Sequence, residues 1–82
     1  MANPEHLEIL KQGVETWNQW RETDIASPYL PDLSGAIFNR ENLDLANLDN
    51  VQLQKAQFIG ARLGYAPLVN ANLEGSDRRR WR

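Results

Sequence analysis

The chain has 82 residues, 41% of them apolar and 24% charged, with a formal net charge of −2 and no cysteine. A chain this short makes one small domain with a limited core, and this composition is too apolar for outright disorder. The lack of cysteine excludes a disulfide framework, a thiolate metal site and a thiol nucleophile.

The opening Met1–His6 lacks the basic flank and apolar run of a secretory signal. No segment approaches the roughly 20 apolar residues that cross a bilayer, so membrane insertion is not expected and a cytoplasmic setting is the default. A helix is predicted to follow at once. Asn3 is a good N-cap, Pro4 suits the first turn and Glu5 sits at the positive dipole end. Leu7, Leu10, Val14 and Trp17 share one face, with Trp20 close by, while Glu8, Lys11, Glu15 and Glu22 lie elsewhere. His6, the single histidine, reads as a solvated helix residue. Residues 23–30 with Pro31 carry turn formers and suit a connector, in which Ile25, Tyr29 and Leu30 help to seal the join. Residues 1–30 are thus expected to be a capping helix and its connector.

From residue 31 the pattern changes to a period of five. Large apolar residues fall at Leu33, Phe38, Leu43, Leu48, Leu53, Phe58, Leu63, Leu68 and Leu73. Two places before each lies a mostly small series: Pro31, Ala36, Glu41, Ala46, Val51, Ala56, Ala61, Ala66 and Ala71. Five matches neither the helical 3.6 nor the strand period of 2. It requires a backbone that points one large and one small side chain inward, then turns a corner. A square coil with twenty residues per turn does this, its layers spaced by about 4.8 Å. Phe38 then lies over Phe58, in an aromatic contact worth about 0.5–1.5 kcal/mol.

The stretches Leu33–Phe38, Leu43–Leu48 and Val69–Gly75 resemble the alanine, aspartate-or-asparagine, leucine, x, x unit of pentapeptide-repeat proteins. The resemblance covers residues 31–75, and the leader His6–Arg21 is similar to a segment found ahead of such repeats in cyanobacterial members. It implies an all-β repeat solenoid: a right-handed quadrilateral β-helix of about two coils with an N-terminal capping α-helix. An open first coil exposes unpaired backbone and an apolar shaft, so the helix is expected to pack there.

Three places depart from the pattern. Glu41 stands where a small inward residue is due and is expected either to swing outward or to be held by hydrogen bonds. Pro67 has no N–H for a ladder; set in the last side of the second coil, it is expected to be tolerated and to discourage end-to-end stacking. Arg78 replaces the next large apolar residue, so residues 76–82 read as a basic C-terminal tail. Within it Trp81 either plugs the shaft over Leu63, Leu68 or Leu73, or frays with the arginines. A truncated relative, one module of an assembly and a complete small protein all fit the short repeat.

No catalytic, cofactor or metal site is expected, because no serine or aspartate stands at a meaningful spacing from His6. Gly60 and Gly64 read as corner residues, not as a phosphate loop. Asp32, Asp44, Asp49 and Glu74, interspersed with Arg40, Lys55 and Arg62, predict faces of mixed sign. Some relatives are acidic rods that imitate DNA and bind gyrase, but two coils rise only about 10 Å, too short for such mimicry. The leading expectation is a non-enzymatic interaction or scaffold module with an unidentified protein partner, and homodimerisation through the C-terminal coil. Ile37, Leu45, Ile59, Tyr65 and Val69 are candidate contacts, as are Trp81, Arg78, Arg79, Arg80 and Arg82. The alternative is nucleic-acid or anionic-surface binding by the arginine-rich tail, with Trp81 stacking.

Overall fold

The computed structural model describes residues 1–23 and 30–82. Two helices open the chain, α1 (Pro4–Lys11) and α2 (Val14–Thr23). The Asn3 side chain accepts the Glu5 N–H at 2.9 Å and the His6 N–H at 3.4 Å, and Glu5 and Lys11 complement the dipole ends of α1. The single expected helix is therefore two. Gly13 takes φ of 124°, a value L side chains rarely adopt. Its N–H closes α1 on Leu10 O at 2.9 Å, and its carbonyl accepts the Trp17 N–H at 3.0 Å to start α2. The apolar stripe survives the break: Leu10 and Trp17 are buried, and Leu7 and Val14 half-buried.

Beyond the connector the chain winds in layers. Parallel bridges join Asp32 to Gln52, Ile37 to Gln57, Asn42 to Arg62, Gln52 to Asn72 and Gln57 to Asp77, each pair twenty residues apart. Each side repeats one scheme: Leu33 N–H donates to Gln52 O and Gly35 N–H to Gln54 O, while Gln52 N–H returns to Pro31 O, all at 2.8 Å. A turn follows, with Ala36 N–H on Leu33 O at 3.1 Å. Its third residue lies in the left-handed region at every fifth position from Gly35 to Arg80, as a type II turn requires. With two of every five residues spent on a turn, no bridge extends into a strand among the described residues. The regular elements there are helices, not the strands expected of an all-β fold.

The inward positions make the core. Leu33, Phe38, Leu43, Leu48, Leu53, Phe58 and Leu63 are buried with Ala36, Ala46, Val51, Ala56 and Ala61, and no charged residue is buried among the described residues. The Phe38 and Phe58 centroids lie 5.4 Å apart. Leu68 and Leu73 are half-buried, since each is the last residue of its column. Glu41 is exposed, swung outward while its backbone stays in register through Arg62 N–H on Glu41 O at 2.9 Å.

Pro67 interrupts the ladder from within. Arg62 and Asn72 donate back to Glu41 O and Val51 O, so an N–H at Pro67 would point at Ala46 O, away from the last layer. Its loss removes the bridge on that side and does not act on end-to-end stacking. Residues 76–82 also differ from the expected tail. Asp77, Arg79 and Arg82 accept from Phe58, Gly60 and Leu63 at 2.7–2.9 Å, so the coil runs on through Arg82. Ladder bonds use backbone groups, and they persist although Arg78 faces solvent.

Candidate interaction surface

The N-terminal edge of the first layer is closed by backbone and side-chain groups of the helical leader. Asn3 N–H donates to Asp32 O at 2.9 Å, and His6 Nδ1 accepts the Asp32 N–H at 3.0 Å. Fifteen residues along the coil edge from Asp32, Trp17 Nε1 donates to Asn47 O at 2.8 Å, Asn18 Oδ1 accepts the Asn47 N–H at 2.8 Å and Asn18 Nδ2 donates to Leu45 O at 3.0 Å. Arg21 donates to Asp49 O at 2.6 Å. His6 is therefore a structural acceptor and not a solvated residue; its ring also lies 5.1 Å from that of Trp20. The connector residues Ile25 and Tyr29 lie outside the described residues, and Leu30 is exposed.

The hydrophilic repeat positions stitch the layers together. Asp32, Asn42, Asn47 and Asn72 each accept the backbone N–H two residues on, at 3.0–3.1 Å, which fixes the turn. Asn39, Asp44 and Asp49 reach the next layer and accept the N–H of Ile59, Gly64 and Val69 at 2.7–2.9 Å. Gly64 is small for this reason: a Cβ there would lie 3.0 Å from Asp44 Oδ1. Gly60, by contrast, supplies a left-handed turn residue. The outward acids thus have structural work, which their spacing alone did not show.

The charges are sided. The two adjoining faces built from residues 37–46, 57–66 and 77–82 carry six arginines, Arg40, Arg62, Arg78, Arg79, Arg80 and Arg82, against Glu41, Asp44 and Asp77. The other two faces carry Lys55 against Asp32, Asp49 and Glu74. The expected mixture of signs on every face is replaced by a basic half and an acidic half. Asp44 pairs with Arg62 at 2.9 Å and Asp77 with Arg79 at 2.7 Å. Hydrogen bonds from the Arg79 side chain and N–H hold the Asp77 carboxyl below its usual range.

Of the candidate contacts, Ile37, Leu45, Tyr65 and Val69 are exposed, and Ile59 is half-buried. Arg78, Arg79, Arg80 and Arg82 are exposed on the coil itself. Trp81 is half-buried, and its ring lies 5.2 Å from Phe58. It covers that phenylalanine where Arg78, the next residue in the column, does not. Leu45 and Tyr65 line a shallow groove of about 460 Å³ with Asp44, Arg62, Gly64 and Arg82.

Among the described residues no group of three or more His, Cys, Asp or Glu is placed to hold a metal ion, and no helix is long and apolar enough to cross a membrane. Searches of the curated proteins and of the solved structures found no match. A scan against protein families matches residues 32–64 to Pentapeptide repeats, in 8 copies. The matched segment is the one whose apolar five-residue series fills the shaft and whose bridges fall twenty residues apart, and residues 32–64 are a run of pentapeptide repeats.

Proposed function

We propose that this chain is a non-enzymatic protein-interaction module, cytoplasmic in setting, whose repeats form a right-handed quadrilateral β-helix capped by α1 and α2. One observation carries this reading: the inward positions are taken up by apolar packing and the Asx side chains by turns and stitches, which leaves Ile37, Leu45, Tyr65 and Val69 exposed without a folding role. Residues 1–30 act as the cap and its connector in this reading, and residues 31–82 as the platform. A second copy docked on the last layer, where Leu68 and Leu73 are half-buried, is a further proposal.

Affinity capture from the native source, with mass measurement of the intact assembly, tests both. A defined complex at fixed stoichiometry is the expected result, and a homodimer mass with no other protein supports the second copy alone. A monomer with no partner at any salt concentration overturns the reading.

The sided arginines favour one alternative, binding of a nucleic acid or another anionic surface through Arg78, Arg79, Arg80 and Arg82. Such binding falls steeply with added salt. It would be lost on replacing these four with glutamine, whereas docking on the apolar positions would persist.

A further inference from the structure

We propose that the corner where Leu45 and Tyr65 stand one above the other is the docking site for an extended acidic peptide with an apolar side chain between its carboxylates. The proposal rests on the interaction-module reading and adds the chemistry of the partner.

Both residues occupy the left-handed turn position, with φ of 67° and 56°. For a non-glycine residue this conformation is unfavourable, because Cβ crowds the following carbonyl oxygen. Elsewhere the same position holds Gly35, Gly60 and Gly75, or Asn50 and Asn70, which tolerate it, or solvated Arg40, Lys55 and Arg80. Leu45 and Tyr65 are the two apolar residues of the set, and they recover little of that cost by burial, being 61% and 95% exposed. Two large apolar side chains held outward in an unfavourable conformation, one layer apart, make sense as contacts for another molecule. An outlier of this kind points toward function when the fold gains nothing from it.

Charge defines the partner. The groove beside the pair is walled by Arg62 and Arg82, and the neighbouring corner adds Arg40 and Arg80 on either side of Gly60. Asp44 and Asp77 are already engaged by Arg62 and Arg79, so the net field of this half is positive. Arginine and tyrosine together are the side chains most used as interface anchors. A peptide fits better than a nucleic acid, because Leu45 is aliphatic and offers a base no ring to stack on, whereas an apolar peptide side chain covers it. The groove, about 460 Å³, accepts one or two side chains.

The test uses the full chain and a labelled octapeptide, Glu-Asp-Glu-Trp-Leu-Glu-Asp-Glu, with blocked ends, followed by fluorescence anisotropy. The comparison probes replace its acids with glutamine and asparagine, or its Trp-Leu with Ala-Ala, or are a thymidine octanucleotide. The acidic apolar peptide is expected to bind at least about tenfold tighter than each of the three, a difference of about 1.4 kcal/mol. Tyr65→Gly, which suits the backbone there, should weaken binding about tenfold with the fold intact by circular dichroism. Val69→Thr, on another face, should leave it unchanged. Equal binding of the probes, tighter binding of the oligonucleotide, or an unaffected Tyr65→Gly overturns the proposal. A natural partner that Tyr65→Gly still captures would leave the module reading standing and remove this corner from it.

Discussion

The side-chain amide of Asn18 meets Asn47 as a neighbouring coil's peptide group would, accepting the Asn47 N–H at 2.8 Å while its own NH₂ donates to Leu45 O at 3.0 Å. An exposed edge of this kind would otherwise offer unpaired groups to any passing strand. Trp17 seals the same place from the apolar side, fully buried and yet donating its indole N–H to Asn47 O. One turn of α2 therefore closes both the shaft and part of its rim.

Asn18→Ala removes two hydrogen bonds and leaves the Asn47 N–H without its partner. A loss of about 1–3 kcal/mol is expected, the desolvation cost of an orphaned group. Urea denaturation followed by far-ultraviolet circular dichroism measures it. A stability unchanged within error would mean that water replaces the amide and that Trp17 seals this part of the edge.

Trp81→Ala should expose Phe58, which is fully buried with Trp81 5.2 Å away. Because Trp81 is itself half-buried, the expected cost is about 2 kcal/mol, below the range of about 3–5 kcal/mol for complete burial. Trp81→Phe should recover most of it. Equal losses for both variants would show that indole size and not aromatic cover matters.

The five-residue apolar series carried the layer register in plain view, as Phe38 over Phe58 illustrates. A fixed inward position every five residues determines where the chain must turn, whatever the outward residues are. The roles of His6, Asn18 and Arg21 were not legible, since each meets the coil edge through space, 26 to 29 residues along the chain. Gly13 was visible as a helix weakener, but Leu10 and Val14 keep helical spacing across the break and conceal it. Arg78 suggested that the coil stops, because side-chain patterns report on the core and are silent about backbone ladders. Leu45 and Tyr65 read simply as exposed apolar residues; their left-handed backbone follows from their place in the turn, not from their chemistry.

Tyr65→Gly should stabilise the fold by about 1 kcal/mol, because the left-handed cost of an L residue is relieved and an exposed side chain gives up no core contact. Leu45→Asn should act in the same direction and by less. Thermal melts of the two variants test this. A falling melting temperature would mean that the tyrosine ring packs on the coil surface in solution more than its exposure suggests.

Ser76 occupies the small inward position above Ala36 and Ala56, and its buried Oγ has no hydrogen-bond partner among the described residues. Ser76→Ala restores the residue used below it. A gain of about 1 kcal/mol is expected from removing an unsatisfied hydroxyl, read as a rise in the urea midpoint at unchanged slope.

Acid stability should depend in part on Asp32. Burial pushes its carboxyl up, but the N–H and hydroxyl of Ser34, at 3.0 and 2.7 Å, with the charge of the amino terminus, outweigh this and hold it below the ordinary 3.8. A carboxyl whose pKa is lower folded than unfolded contributes stability that is complete above the unfolded value and is lost as pH falls through the folded one. The urea midpoint of the parent chain should therefore decline below about pH 4, and that of Asp32→Asn, which keeps an acceptor for Ser34 and cannot titrate, should decline less. The variant should be the weaker of the two near neutral pH, where the charged acceptor makes the stronger bond. If the two acid limbs superimpose, the turn at Ser34 is held by an oxygen whose charge is immaterial, and the acid sensitivity of the fold belongs to other carboxylates, Asp77 on Arg79 first among them.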